Sequence, residues 1–229
     1  MTIDILLLTY NNLPSTKQCI DHLYKHTSDF NLIIVDNNST DGTIDYLKNI
    51  EQDNLILHFS PKNLGCVNGR NFAYTLSKDS EYICLLDNDQ YVLDGWVESY
   101  MSYINKGYDV VGYEAWKVRP DCYPIKKVGV GESYSYVGCG GMFLKREVIE
   151  DIGLFDTAFN PLYFEDPYFC WTAHEAGYKI CWNEEKRIYH QPHKLLNAER
   201  RVYFNRSLDI LRKKWEGKKI PIFNNYIDK

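Results

Sequence analysis

The chain has 229 residues, of which 45% are hydrophobic, 25% charged and 15% aromatic, with 19 Tyr. That is the composition of a folded globular chain, long enough for one compact domain with a sizeable core, and it excludes an intrinsically disordered protein. A net charge of −5 argues against a generic nucleic-acid binder, and no apolar run approaches the ~20 residues a membrane span requires.

The apolar start, Ile5 to Leu8, has no basic lead-in and no small-residue cleavage site after it, so a secretory signal is not expected. Seven cysteines, odd in number and without C-x-x-C spacing, speak against a disulfide framework or a zinc knuckle. A cytoplasmic protein with reduced thiols is the expectation.

Residues 3–9 read as a buried strand and 15–26 as a helix with Ser15 as its N-cap. A strand over 31–35, a helix over 41–50 begun by Thr40 or Asp41, and a strand over 54–59 follow. A helix over 69–77 and a strand over 81–86 complete the first half. Strand and helix alternating at this spacing predict a mostly parallel α/β sheet with right-handed crossovers. Ligands of such sheets bind at the carboxyl ends of the strands, where Tyr10-Asn11-Asn12, Asp36-Asn37-Asn38 and Asp87-Asn88-Asp89 fall.

The second half is rich in Tyr and turn residues from 95 to about 136, with weak strand signals at 110–113 and 126–130. Cys139-Gly140-Gly141 leads into a strand at Met142-Phe143-Leu144, then helices over 146–152 and 167–176, the second stopped by Gly177. Residues 179–182 are strand-like. A helix over 197–215 lies in a stretch, 195–220, that carries eight Lys or Arg against three acids. A solvated helix face explains this density, and so does docking on an anionic membrane surface.

Asp87 and Asp89, spaced i, i+2 at a strand end, can hold a hard divalent cation together with a ribose, although a turn or strand-end cap accounts for an isolated D-x-D equally well. Asp36 can accept a hydrogen bond from a base or ribose, or merely cap a helix-entry turn. Backbone N–H groups in the stretch Asn63 to Asn71, together with Arg70, suit an anion at a helix start. That stretch is neither a dinucleotide fingerprint nor a P-loop. Asp166, followed by Pro167, reads as an N-cap or as a carboxylate held near a pocket for use as a general base. His190 and His193 can add an imidazole to a metal site, but lack the Glu of a zinc protease motif.

The order of these pieces resembles glycosyltransferase family 2, the inverting nucleotide-sugar enzymes of GT-A fold. The likeness runs through Leu7-Leu8-Thr9-Tyr10-Asn11, the segment from Val35-Asp36 to Thr43, Asn63 to Asn71, and Leu86-Asp87-Asn88-Asp89. It continues through Gly140-Gly141-Met142, Gly153-Leu154-Phe155-Asp156, Tyr163-Phe164-Glu165-Asp166 and Ala176-Gly177-Tyr178, covering about residues 3–193. The trailing segment from Tyr203 to Trp215 resembles the family as well.

The resemblance implies a GT-A domain over 1–194, with a nucleotide-sugar half (1–94) and an acceptor and catalytic half (95–194), and the basic helix and tail of 195–229 packed on it. It implies nucleotide-sugar contacts from Thr9, Tyr10, Asn11, Asp36, Asn63, Arg70, Asp87 and Asn88. Mn²⁺ or Mg²⁺ would be held by Asp87, Asp89 and His190, and Asp166 would be the base. Gly140, Gly141, Glu165 and Trp116 are expected near the acceptor or the donor sugar. Tyr168 and Thr172 depart from the family pattern, which bears on acceptor contacts rather than on the base. The expected partners are a nucleotide-diphosphate sugar and a saccharide, lipid-linked or other hydroxyl acceptor, with no nucleic acid and with membrane contact through the basic helix.

A sugar-phosphate nucleotidyltransferase would share the layout, but its glycine-rich basic loop is missing between Thr9 and Pro14. A non-catalytic nucleotide-sugar binding module is the other alternative, and the intact Asp87, Asp89 and Asp166 speak against it.

Overall fold

The computed structural model describes residues 2–191 and 197–225; His193 falls outside them. In chain order the elements are β1 (Ile3–Thr9), α1 (Leu13–His26), β2 (Phe30–Asp36), α2 (Thr43–Lys48), β3 (Leu55–Phe59), α3 (Gly65–Thr75), β4 (Tyr82–Asp87) and β5 (Gln90–Val92). Then come α4 (Trp96–Ile104), β6 (Val110–Gly112), β7 (Ala115–Val118), β8 (Pro124–Lys127), β9 (Tyr136–Val137), β10 (Met142–Lys145) and α5 (Arg146–Ile152). The series ends with α6 (Glu165–Glu175), β11 (Ile180–Trp182), β12 (Ile188–His190) and α7 (Ala198–Lys214).

Seven strands make one sheet in the order β11-β6-β10-β4-β1-β2-β3, parallel throughout except for β10, which runs antiparallel to both neighbours. All seven residues of β1 are buried. Successive side chains of a strand point to opposite faces, so Ile3, Ile5 and Leu7 pack with α1, α2 and α4, whereas Leu6 and Leu8 pack with α3, α5, α6 and α7. This two-sided burial is why the parallel strands read as continuous apolar runs. A three-stranded sheet, β8-β7-β9, and a two-stranded ribbon, β12-β5, stand beside the main sheet.

Several helix starts differ from the sequence expectation. Asn12, in the left-handed conformation, caps α1 with Pro14 in its first turn, so Ser15 lies inside the helix and donates its hydroxyl to Gln191 instead (3.0 Å). Asp41 is not helical. Its carboxylate accepts from Leu13 N–H, Thr43 N–H and Thr43 Oγ1, which delays α2 to Thr43. α3 begins four residues early because Gly65 adopts φ +83° and a β-carbon there would lie 2.8 Å from Pro161 Cα. Asp166 is not the cap of α6 either; Phe164 is, in the left-handed region. α4 was not expected, although Trp96, Tyr100 and Ile104 recur at four-residue spacing and are all buried.

α7 lies close to the expected span, capped by Asn197 accepting from Arg200 N–H. Five of the eight basic residues of this segment are engaged with the chain itself, Arg200 with the Tyr163 hydroxyl among them. Arg206 donates to the Asn160 carbonyl, Arg212 pairs with Asp121, Lys214 with Asp156, and Lys218 with Glu175.

Candidate active site

The carboxyl ends of β1, β2 and β4 place Thr9, Asp36 and Asp87 side by side. Asp36 is fully buried; Oδ2 accepts from Thr9 Oγ1 (3.0 Å) and Ser39 Oγ (2.6 Å), and Oδ1 from Ser39 N–H (2.9 Å). Around this pair Tyr10 is half exposed, and Asn11 accepts from Thr40 N–H through its side chain. Asn63 is exposed and its carboxamide oxygen accepts from Gly65 N–H (2.8 Å). The N–H groups of Cys66 and Asn68 at the start of α3 are likewise taken, by Pro161 and Asn160. The anion cradle expected there is therefore occupied by the protein's own loop.

Arg70 turns inward rather than toward that loop. It is 5% exposed, donates to Asp87 Oδ1 through Nη2, and lies 3.6 Å from Glu165 Oε1 through Nη1. Arg70 thus ties the end of β4 to the start of α6. Asp87 is fixed from a second side by Gln90, whose Oε1 accepts from Asp87 N–H (3.0 Å). Gly140 closes the third side: a β-carbon at this residue would stand 2.5 Å from Asp87 Oδ2 and 3.2 Å from the Gln90 carboxamide. Gly141 serves packing instead, with φ +74° and its carbonyl accepting from Tyr100 (2.9 Å).

Between the two acids, Asn88 uses both amide protons on Asn11 O and Thr16 Oγ1 (2.9 Å each), anchoring the Asp87–Asp89 turn to the β1–α1 loop. His190 arrives from 100 residues downstream because β12 pairs antiparallel with β5, setting it opposite Gln90. Its Nε2 lies 3.3 Å from Asp89 Oδ1. Burial pushes the imidazole pKa down, but the hydrogen bond to Asp89 and the charges of Asp87 and Asp89 more than offset this, so it rises above the ordinary histidine value.

Asp87, Asp89 and His190 each offer a donor atom within 4.8 Å of the others. Two carboxylates and an imidazole, with Asp87 held on three sides, fit a divalent cation such as Mn²⁺ or Mg²⁺.

This cluster borders a cavity of about 430 Å³ that Arg70, Asp87, Trp116, Gly140, Glu165, Asp166 and His190 all line. Tyr163 and Phe164, both at positive φ (78° and 67°), bend the chain so that α6 opens with Glu165 and Asp166 facing the cavity. Two bulky residues in this region store backbone strain. Glu165 is 5% exposed and its Oε2 has no hydrogen-bond partner among the described residues. Burial raises its pKa, and burial together with the neighbouring Glu165 charge raises that of Asp166 well above the ordinary carboxylate range.

The cavity also contains residues not expected from the sequence. Glu114 and Lys127 pair at its mouth, with Lys127 over the Trp116 ring, and Phe204 forms apolar wall beside Tyr136, which belongs to the Tyr-rich stretch already noted in the sequence. Gln90 directly follows Asp89, but nothing in the motif pointed to it. Cys66 and Cys139 line the wall as protonated thiols, Cys66 pushed up to about 11 chiefly by burial.

The model of Glycosyl transferase family 2 matches residues 4–169, well over half of the chain. This chain belongs to that family. Among its relatives, the poly(ribitol-phosphate) beta-glucosyltransferase of Bacillus spizizenii is 32% identical over 98 residues, covering 40% of this chain and 15% of the relative. The S. aureus TarS fragment 1–349 solved with UDP-GlcNAc superposes at TM-score 0.65 and 18% identity, over 86% of this chain and 60% of the fragment. The mannosyltransferase PcManGT of Pyrobaculum calidifontis, solved with GDP-Man and Mn²⁺, gives TM-score 0.70 at 16% identity, over 96% of this chain and 65% of that one. This family-2 chain thus spans less than two thirds of each of these proteins. At such identities the two structural likenesses speak to fold, and the fold is the mostly parallel GT-A arrangement expected from the sequence.

Proposed function

We propose that this chain moves a sugar from a nucleotide-diphosphate donor to a hydroxyl acceptor with inversion at the anomeric carbon. The observation that carries the reading is the meeting, in one cavity, of the Asp87/Asp89/His190 donor set and the Asp166 carboxylate. Asp87, Asp89 and His190 would hold Mn²⁺ or Mg²⁺, whose chemistry when bound is to offset negative charge on the departing diphosphate. Asp166 accepts the proton of the acceptor hydroxyl as the new C–O bond forms and the bond to the diphosphate breaks. One displacement requires one base and no covalent partner, and a carboxylate with a raised pKa is a stronger base.

Thr9, Tyr10, Asn11, Asp36 and Asn63, at the ends of β1 to β3, are the proposed surroundings of the nucleoside. Asn88 and Arg70 act by holding the Asp87–Asp89 turn. UDP-GlcNAc and GDP-Man in the two structural neighbours favour a UDP- or GDP-linked donor. Trp116, half-buried at the cavity mouth, is the proposed acceptor platform, since an indole face stacks well against a saccharide ring. A saccharide or lipid-linked acceptor of cell-envelope polysaccharide synthesis, in the cytoplasm, suits this arrangement. Among the described residues no helix is long and apolar enough to cross a membrane.

The test is thermal stabilisation by UDP, GDP and dTDP, each with and without Mn²⁺ or Mg²⁺, on the native chain and on Asp89→Asn. A ligand of the folded state raises the melting temperature. A shift for one nucleotide that needs the cation, and that Asp89→Asn removes, supports the site. No shift with any nucleotide at saturating concentration overturns the reading. A shift without release of nucleoside diphosphate from a matching donor and a panel of acceptors favours a non-catalytic binding module.

A further inference from the structure

A second cavity, of about 440 Å³, lies across the β8-β7-β9 sheet from the active site. Adjacent residues divide between the two: Trp116 and Tyr136 line the catalytic cavity, Lys117 on β7 and Ser135 just before β9 the second. The second cavity is completed by the segment after α7, through Lys218, Lys219 and Ile222.

Its chemistry is unlike that of the rest of this acidic chain. The lining contains Lys117, Arg119, Lys218 and Lys219 and no acid. Arg119 and Lys218 are paired with Asp121 and Glu175; Lys117 is in no close ion pair among the described residues, its charge reaching Glu132 only at longer range, and Lys219 is in none. The same lining includes two aliphatic side chains largely in water, Ile125 at 58% and Ile222 at 69% exposure.

Scattered exposed aliphatics need no explanation, but two that share a groove with four cations, two of them outside any close ion pair, favour a partner that is apolar inside and anionic at its surface. A polyanion would answer the lysines and leave the isoleucines in water. A bilayer with anionic headgroups answers both, since acyl chains take the isoleucines and headgroups the ammonium groups, whose stems can lie along apolar surface. The C-terminal helix is the poorer candidate, because five of the eight basic residues in its segment are engaged with the protein. We propose that the groove formed by β7, β8 and residues 218–222 docks the protein on an anionic bilayer, Ile125 and Ile222 entering the interface while Lys117 and Lys219 meet the headgroups.

The experiment is co-sedimentation of the full chain with vesicles of phosphatidylcholine alone or mixed with phosphatidylglycerol, at low and high salt. The protein is expected to pellet with the mixed vesicles, less so at high salt, and to stay in the supernatant with phosphatidylcholine alone. Lys117→Glu/Lys219→Glu should weaken partition by roughly tenfold or more, and Ile125→Ser/Ile222→Ser should abolish it. Arg201→Glu/Lys213→Glu, on exposed positions of α7 that do not line the groove, should weaken partition clearly less than Lys117→Glu/Lys219→Glu, although both pairs change the net charge equally. Every variant should keep the parent melting temperature and nucleotide response, which reports folding separately from docking and separately from the transferase reading.

Failure of the native chain to pellet, equal binding to phosphatidylcholine alone, or loss of binding only in the α7 variant would each overturn the proposal. Failure to pellet, combined with self-association that Ile125→Ser/Ile222→Ser removes, would assign the face to a second copy and overturn it as well.

Discussion

Asp166 sits where the protein is worse off for holding a charge. Its carboxylate is desolvated and stands beside Glu165, so its folded pKa is raised above the unfolded value of about 4. Below about pH 4 both folded and unfolded chains carry the proton and no cost arises. From about pH 4 up to the folded pKa the folded chain keeps a proton that the unfolded chain has released, so stability falls with pH and then stays at its lower value. Asp166→Asn is therefore expected to raise the melting temperature at pH 7–8, with the gain disappearing near pH 4, while transfer falls by about 10²-fold or more and donor binding persists. A variant that transfers normally would remove Asp166 from the base role. In the native chain the acid limb of the pH–rate profile should lie above the ordinary carboxylate range. Gly140→Ala tests the other end of the site: its β-carbon displaces Asp87, so cation-dependent stabilisation by nucleotide should be lost with little change in the melting temperature of the free protein. Gln90→Leu removes the acceptor for Asp87 N–H and should weaken cation affinity measured by titration, in the same direction.

At the scale of elements, the amino ends of the strands are locked as firmly as the carboxyl ends are open. Asp4 on β1, fully buried, accepts from Asn31 on β2, Ser80 and Lys78 N–H before β4, and Arg146 at the start of α5. Removing one partner of a buried pair leaves an uncompensated charge. Arg146→Ala should cost about 3 kcal/mol of unfolding free energy by denaturant titration, while the activity per folded molecule is retained. Nothing in the sequence announced this cluster, because its members are ordinary polar residues until the sheet brings them together. The start of α6 was hidden for a different reason. Asp166-Pro167 carries a strong cap signal, but tertiary packing drives Tyr163 and Phe164 into the left-handed region and begins the helix one residue before Asp166.

Across the whole molecule, legibility follows contact range. β1 to β4 were readable because each strand is an apolar run bounded by polar turn residues, and the carboxylates after them fell where parallel sheets bind ligands. β5, β7, β9 and β12 are two to four residues long and owe their conformation to partners far along the chain, so local patterning could not find them, and the weak signal at 126–130 meets β8 only at Lys126 and Lys127. The same holds within the site: Asp87 and Asp89 were evident from spacing, whereas Gln90, Glu114 and Phe204 join it only through the fold.

The ribbon of β5 and β12 has a further consequence, for the order in which the molecule is completed. During synthesis Asp87 and Asp89 emerge some 100 residues before His190, and the three-residue ladder of β12, continued by Gln191 N–H to the Asp89 carbonyl, brings the imidazole to them. A chain that stops short of β12 holds two of the three donors. A divalent cation should then bind the finished chain more tightly than such a truncation, and by mass action pull the late ribbon into place. Cation affinity, followed during refolding, becomes a clock for the last step.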